Sequence, residues 1–266
     1  MSTTAESLIF DIRNLSLCYV STDSQCDKLV FENVNLQVKK NAVTAIMGPS
    51  GCGKSSFLMC LNRLVELHSK AKLKGKILYD GEDIHSENYN TQQLRREVGM
   101  IFQRPTPFSL SIWNNLALPL KEHTFNTKSE NEEIITETLK SVGLWNEVKD
   151  RLHKSALKLS GGQQQRLCLA RSLVLKPKVL LMDEPMSALD PVSSLVIEEL
   201  VENFKGQLSI VLVTHNIQLA KRLGDELAFF WYENNTGTLL ETGTTEEIFI
   251  RPQHKITRDY VQGLRG

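Results

Sequence analysis

Polar and apolar positions change their period several times along the 266 residues. Residues 8–47 alternate as strands do, most clearly from Leu29 to Val38. The run from Ala42 to Met47 is continuously apolar with β-branched members, which suits a buried parallel strand. Ser56 to Leu61 suits a helix. Lys76 to Tyr79, followed by Asp80 and Gly81, predicts a strand and a turn. Val98 to Gln103 predicts a short strand ending in a polar residue. From 91 to 158 the character differs. Glu130 to Leu139 is charged and helical in period, with Ile134, Ile135, Leu139 and Val142 on one face and Gly143 as the stop. After residue 160, helices and strands alternate again. Val179 to Met182 and Ile210 to His215, which ends in a histidine, are further apolar strands, and Thr244 to Arg265 reads as short helices. The pattern predicts an α/β core at about 1–90 and 163–266, interrupted by a mostly helical insert at about 91–162. There is no internal repeat and no low-complexity tract.

Two of these strands end in candidate chemistry. Gly48, Pro49, Ser50, Gly51, Cys52, Gly53, Lys54 and Ser55 follow the Ala42–Met47 run and precede the helix that opens at Ser56. They fit the P-loop pattern, with Gly48, Gly53, Lys54 and Ser55 at its fixed positions. Such a loop turns backbone N–H groups inward toward phosphate oxygens, and the helix start adds a positive dipole end. Lys54 would reach the β- and γ-phosphates of a nucleotide, and the Ser55 hydroxyl would ligate Mg²⁺. The dinucleotide fingerprint fails, because Ser56 stands where its third glycine should be. The second site is the Val179–Met182 strand, which ends in Asp183 and Glu184. Asp183 would hold Mg²⁺, and Glu184 would orient and activate the attacking water. A merely solvated acidic pair is the plainer alternative.

Composition fits a soluble intracellular enzyme. With 31 basic and 31 acidic residues the formal charge is zero, so no overall electrostatic pull toward nucleic acid or anionic lipid is expected. The five cysteines, Cys18, Cys26, Cys52, Cys60 and Cys168, are scattered and form no C-x-x-C pair. They read as reduced thiols rather than as a zinc or disulfide framework. Cys52 is either a small filler or a reactive thiol, since the inward N–H groups and Lys54 would favour its thiolate. No apolar run approaches the length of a membrane span. Met1 to Ser7 has neither the basic start nor the apolar core of a signal peptide.

Between the two sites stand Leu159, Ser160, Gly161, Gly162 and Gln163. By itself this is a helix start capped by Ser160, with N–H groups at a positive dipole end. Flanked by a phosphate cradle and a pair of carboxylates, it resembles the signature segment of the ATP-binding cassette family. The resemblance implies a P-loop NTPase core with a mainly parallel sheet, an N-terminal antiparallel β subdomain and a helical signature insert. It implies ATP and Mg²⁺ as cofactors, and a head-to-tail pair of copies. In that pair Ser160, Gly161, Gly162 and Gln163 act on the nucleotide held by the partner's cradle. His215 is then a γ-phosphate contact that also holds Glu184 and water. Gln103 touches Mg²⁺ and water, and Tyr19 lies under adenine. Asp190, in Ser187 to Asp190, is the acidic member of an inter-subunit loop. A polar stretch from Ser21 to Lys28, longer than a tight turn, leaves open a core or surface role for Tyr19.

Four further stretches, Arg104 to Phe108, Ser111 to Asn115, Leu144 to Leu152 and Thr257 to Gly263, resemble the branch that imports inorganic phosphate. That likeness implies two membrane permease subunits, an indirect phosphate-binding protein outside the membrane, and a peripheral place on its cytoplasmic face. The competing classes are a cassette protein acting on ribosomes or DNA and an ordinary P-loop kinase. A single compact cassette argues against the first two, and the signature segment argues against the kinase.

Overall fold

A computed structural model describes residues 7–20 and 26–264. They form two compact units. One runs to Leu94 and resumes at Lys205, and the other is Arg95–Phe204.

The first unit is built on strands β1 (Leu8–Val20), β2 (Cys26–Lys39), β3 (Val43–Met47), β4 (Ala71–Tyr79), β5 (Glu82–Asp83), β8 (Ser209–Val213), β9 (Glu226–Glu233) and β10 (Thr236–Thr244). Their order across the sheet is β5-β4-β1-β2-β10-β9-β3-β8. β1 pairs antiparallel with β2 and β4, and β4 turns through Asp80 and Gly81 into β5. These strands are the expected antiparallel subdomain. β3 runs parallel to both β8 and β9 and is buried along its whole length, as its unbroken apolar sequence requires. Helix α1 (Lys54–Leu61) lies on this sheet. Phe57 of α1 sits between Phe31 of β2 and Phe230 of β9, with ring centroids 5.9 and 5.3 Å away. All three rings are fully buried, so α1 is pinned from two strands at once. Helices α8 (Ile217–Leu223), α9 (Thr245–Ile250) and α10 (Lys255–Val261) supply a second cluster, in which Ala220, Ile248 and Tyr260 meet Met47, Leu227 and Phe229.

Of the polar stretch from Ser21 to Lys28, residues 21–25 lie outside the described residues, and Cys26 to Lys28 belong to β2. The cysteines depart from expectation. Cys52, Cys60 and Cys168 are free and buried, but Cys18 in β1 is disulfide-bonded. Spacing along the chain does not show which strands lie side by side, and so could not indicate a disulfide.

The second unit holds the parallel pair β6 (Val98–Ile101) and β7 (Val179–Asp183) and helices α3 (Ile112–His123), α4 (Lys128–Ser141), α5 (Trp145–Val148), α6 (Gly161–Leu173) and α7 (Pro191–Phe204). Helix α2 (Thr91–Glu97) crosses the boundary between the units. α4 starts in a capping box between Thr127 and Glu130 and buries Ile135 and Leu139, and the chain leaves it through Gly143 at φ 65°. Among the described residues no helix is long and apolar enough to cross a membrane.

Candidate functional site: a phosphate cradle and a signature helix

In the first unit β3 delivers the cradle. Gly48 follows the strand at φ 145°, and a β-carbon there would lie 2.1 Å from the carbonyl oxygen of Phe230. Only glycine fits so close to β9, and the loop is therefore tied to the sheet at its first residue. At its far end α1 begins without a side-chain cap and without an acidic residue in its first turn. A helix start of this kind, with no carboxylate beside it, suits an anion. Lys54 is buried, and its Nζ donates to the carbonyls of Gly48 at 2.8 Å and Pro49 at 2.7 Å. The ammonium thus bridges the loop from inside and must exchange these bonds to reach a phosphate. Ser50, Gly51 and Ser55 are exposed at the mouth and Ser56 is half-buried.

Cys52 turns inward and is fully buried, with Sγ 3.8 Å from Lys54 Nζ. Burial pushes its thiol pKa up, and the nearby lysine charge offsets only part of that. The reactive-thiol expectation is overturned. Desolvation outweighs the local positive field.

His215 leaves the end of β8 next to the cradle. Ile46 of β3 pairs with Val213, and the Thr214 N–H donates to the Ile46 carbonyl at 3.1 Å. The imidazole is exposed. Tyr19 stands near the end of β1, its ring edge-on to His68 at 6.2 Å and half-buried.

In the second unit two strand ends are brought together. Gln103 follows β6, Asp183 ends β7 and Glu184 follows it. Gln103 Nε2 lies 3.4 Å from Glu184 Oε2 and 3.1 Å from Ser187 Oγ, and Ser187 Oγ donates to the Glu184 carbonyl at 3.0 Å. Glu184 sits at φ 45°, a left-handed conformation uncommon for a residue with a β-carbon. A residue that sequence reasoning missed holds this arrangement. Gln165 of α6 is fully buried, and its Nε2 donates to the carbonyls of Phe102 and Pro185, both at 3.0 Å. It bolts the segments after β6 and β7 to one helix. Its only sequence signal was a polar residue among the buried positions of a helix.

The signature residues form the start of α6. Ser160 is the N-cap: the Gln163 N–H donates to its Oγ at 3.3 Å, and its own N–H donates to Gln163 Oε1 at 3.1 Å. Gly161 is exposed. Gly162 is buried, and a β-carbon there would lie 2.2 Å from Ser193 Oγ. The start of α7 occupies the space a side chain would need. Asp190 caps α7 by accepting from the N–H groups of Val192 and Ser193. Hydrogen bonding from Ser193 holds its carboxyl below the usual range. Glu147 of α5 accepts from Gln163 Nε2 and from Arg166 Nη1, each at 2.7 Å. Partial burial pushes its pKa up, but the bonds from Arg166 and Gln163 leave it below the ordinary value.

The loop before α3 is fixed as well. Asn115, fully buried, accepts from the Phe108 N–H at 2.8 Å and donates to the Phe108 and Ser111 carbonyls. The Arg171 guanidinium lies 4.2 Å from the Phe108 ring centre. Beside this loop, Leu110, Trp113, Ala117 and Leu118 line an open groove of about 470 Å³ with Lys121 and Lys128 on its rim. Phe108, Leu110 and Leu118 are exposed.

The family pattern described as ABC transporter matches residues 31–187. The phosphate import ATP-binding protein PstB 1 of Nitrosococcus oceani is 52% identical over 237 residues, which is 89% of this chain and 86% of that protein. The phosphate import ATP-binding protein PstB 2 of Bacillus subtilis (strain 168) is 49% identical over 258 residues, 97% of this chain and 92% of its own length. Among solved structures, cbiO1 from Clostridium perfringens, part of the ABC transporter complex cbiONQ, has a TM-score of 0.75 at 27% identity and 92% coverage of both chains. With the P-loop, the signature helix and the Asp183–Glu184 strand end in place, the chain belongs to the ABC transporter family.

Proposed function

We propose that this chain is the ATP-hydrolysing subunit of an importer of inorganic phosphate. The observation that carries the reading is the pair of helix starts in one chain, α1 with no side-chain cap and α6 capped by Ser160, which lie in different units. Two copies paired head-to-tail would use both, each ATP lying between one copy's cradle and the other's Ser160–Gln163 segment. Such a pair closes with twofold symmetry. The two relatives are phosphate import proteins, which supports phosphate as cargo.

In this reading Lys54 and the cradle N–H groups hold the β- and γ-phosphates, and Tyr19 stacks on adenine. Glu184 takes the proton of the attacking water. Gln103, already within reach of the Glu184 carboxylate, orients that water, and His215 contacts the γ-phosphate. Ser55 and Asp183 are hard oxygen donors of the kind Mg²⁺ selects, with Gln103 beside them in role. The ion would neutralise phosphate charge as the terminal phosphate leaves. The boundaries at about 91 and 162 then mark a helical part that receives the membrane partner. The groove beside Phe108 and Leu118 is apolar with a basic rim, which suits a short amphipathic helix of a permease on the cytoplasmic side.

The test is reconstitution with the two phosphate permease subunits in liposomes. Hydrolysis should require both chains and rise when phosphate-loaded binding protein is added outside. Stimulation by another anion's binding protein, and none by phosphate, would remove phosphate as the cargo.

A further inference from the structure

We propose that Glu147 is a positioning residue for the start of α6, holding the Gln163 amide in the one orientation that closes the cap on Ser160. The role deepens the reading of α6 as a phosphate-binding end and rests on it.

An ionised carboxylate only accepts hydrogen bonds. Glu147 spends one oxygen on Arg166 and the other on Gln163 Nε2, both at 2.7 Å. The Gln163 amide must therefore turn its NH₂ toward Glu147, which turns its oxygen toward the Ser160 N–H at 3.1 Å. Rotating the amide by half a turn would set oxygen against carboxylate and NH₂ against N–H. Two hydrogen bonds would become two like-with-like contacts. With the amide held, the Gln163 N–H is already satisfied by Ser160 Oγ. The hydroxyl hydrogen of Ser160 and the N–H groups of Gly161 and Gly162 are then the donors left for an anion in front of the helix. Glu147 is itself anchored. Arg166, 8% exposed, binds it from behind and also donates to the Gly143 carbonyl at 2.9 Å, just past the end of α4. The path is continuous from the α4 terminus through Arg166 and Glu147 to Gln163 and Ser160.

Glu147→Gln tests this with almost no change in shape. The new amide must face its oxygen to Arg166, so its NH₂ meets the NH₂ of Gln163, which flips or lets go. Hydrogen exchange at the Ser160 amide should then quicken about tenfold in the isolated chain, the loss expected for one capping interaction. In the complex with its membrane partners kcat should fall by a similar factor, while ATP binding to the isolated chain stays within about twofold, because the cradle is untouched. Adding Gln163→Glu should restore the slow exchange at Ser160. A carboxylate at 163 accepts from the amide introduced at position 147 and from the Ser160 N–H together, as glutamate does in other capping boxes. Unchanged exchange at Ser160 in Glu147→Gln, or no recovery in the double variant, overturns the proposal. A wild-type chain that hydrolyses no ATP with its membrane partners overturns the functional reading instead, and the exchange result still judges the positioning.

Discussion

At the scale of single residues, the two sites depend on side chains whose neighbours decide what they can do. Glu184 is held in a left-handed conformation with Gln103 beside its carboxylate. Glu184→Gln should keep ATP binding and lose about 10²–10⁴-fold in turnover, because an amide cannot take the proton from water. Near-normal hydrolysis by that variant in the assembled complex would exclude Glu184 as the base. Gln165 sets the frame around it. Gln165→Leu leaves the buried Pro185 carbonyl and the part-buried Phe102 carbonyl without this donor and should cost about 1–3 kcal/mol in stability. Unfolding in urea measures this, and a midpoint equal to wild type would show that the two bonds contribute nothing. Cys52 was open to two readings, and burial selects the filler. A maleimide should leave Cys52, Cys60 and Cys168 unmodified in the folded chain and label them once urea unfolds it. Rapid native labelling at Cys52 that MgATP blocks would reverse this.

At the scale of elements, α6 and α7 meet so closely that Gly162 admits no side chain. Gly162→Ala should force the helix starts apart and cost about 1–3 kcal/mol, visible as a lowered Tm. An unchanged Tm would mean that Ser193 moves aside freely. Glu147 adds a pH dependence. Its carboxyl pKa lies below the ordinary value in the folded chain, so its contribution to stability is present above about pH 4.3 and is lost as pH falls through the lowered value. The Tm difference between wild type and Glu147→Gln should therefore shrink in acid. A difference that grows in acid would contradict the Arg166 pairing. Both effects belong to helix starts, where a few exposed N–H groups decide how the element meets its ligand.

At the scale of the whole molecule, pairing and coupling leave different signatures. Ser160→Arg should abolish hydrolysis while the cradle still binds ATP, and mixing it with Lys54→Ala should leave at most one working composite site in each pair. Wild-type hydrolysis by Ser160→Arg alone would rule out the sandwich. Phe108 lies exposed on a loop that Asn115 and Arg171 hold in place. Replacing Pro105 and Phe108 with Ala should weaken assembly with the permease and separate transport from hydrolysis, with ATP binding by the free chain nearly unchanged. Crosslinks from residues 104–108 that never reach a membrane subunit would contradict that placement.

The chain's own order of residues determined the α/β class, the strands before each site and the positions of the cradle, the signature and the acidic pair. These are local signals, since an apolar run, a glycine pattern or a capping box is written within a few residues and needs no distant partner. Tertiary structure alone decided matters that turn on neighbours far apart in sequence. It showed that Cys52 is too buried to ionise readily, and that Cys18 is disulfide-bonded where a free thiol was expected. It showed that Lys54 bridges its own loop, that Gln165 ties two strand ends to one helix and that Glu147 orients Gln163. Burial, hydrogen bonding and the pKa of a group depend on what the folded chain brings against it, and a linear pattern of residue types does not carry that information.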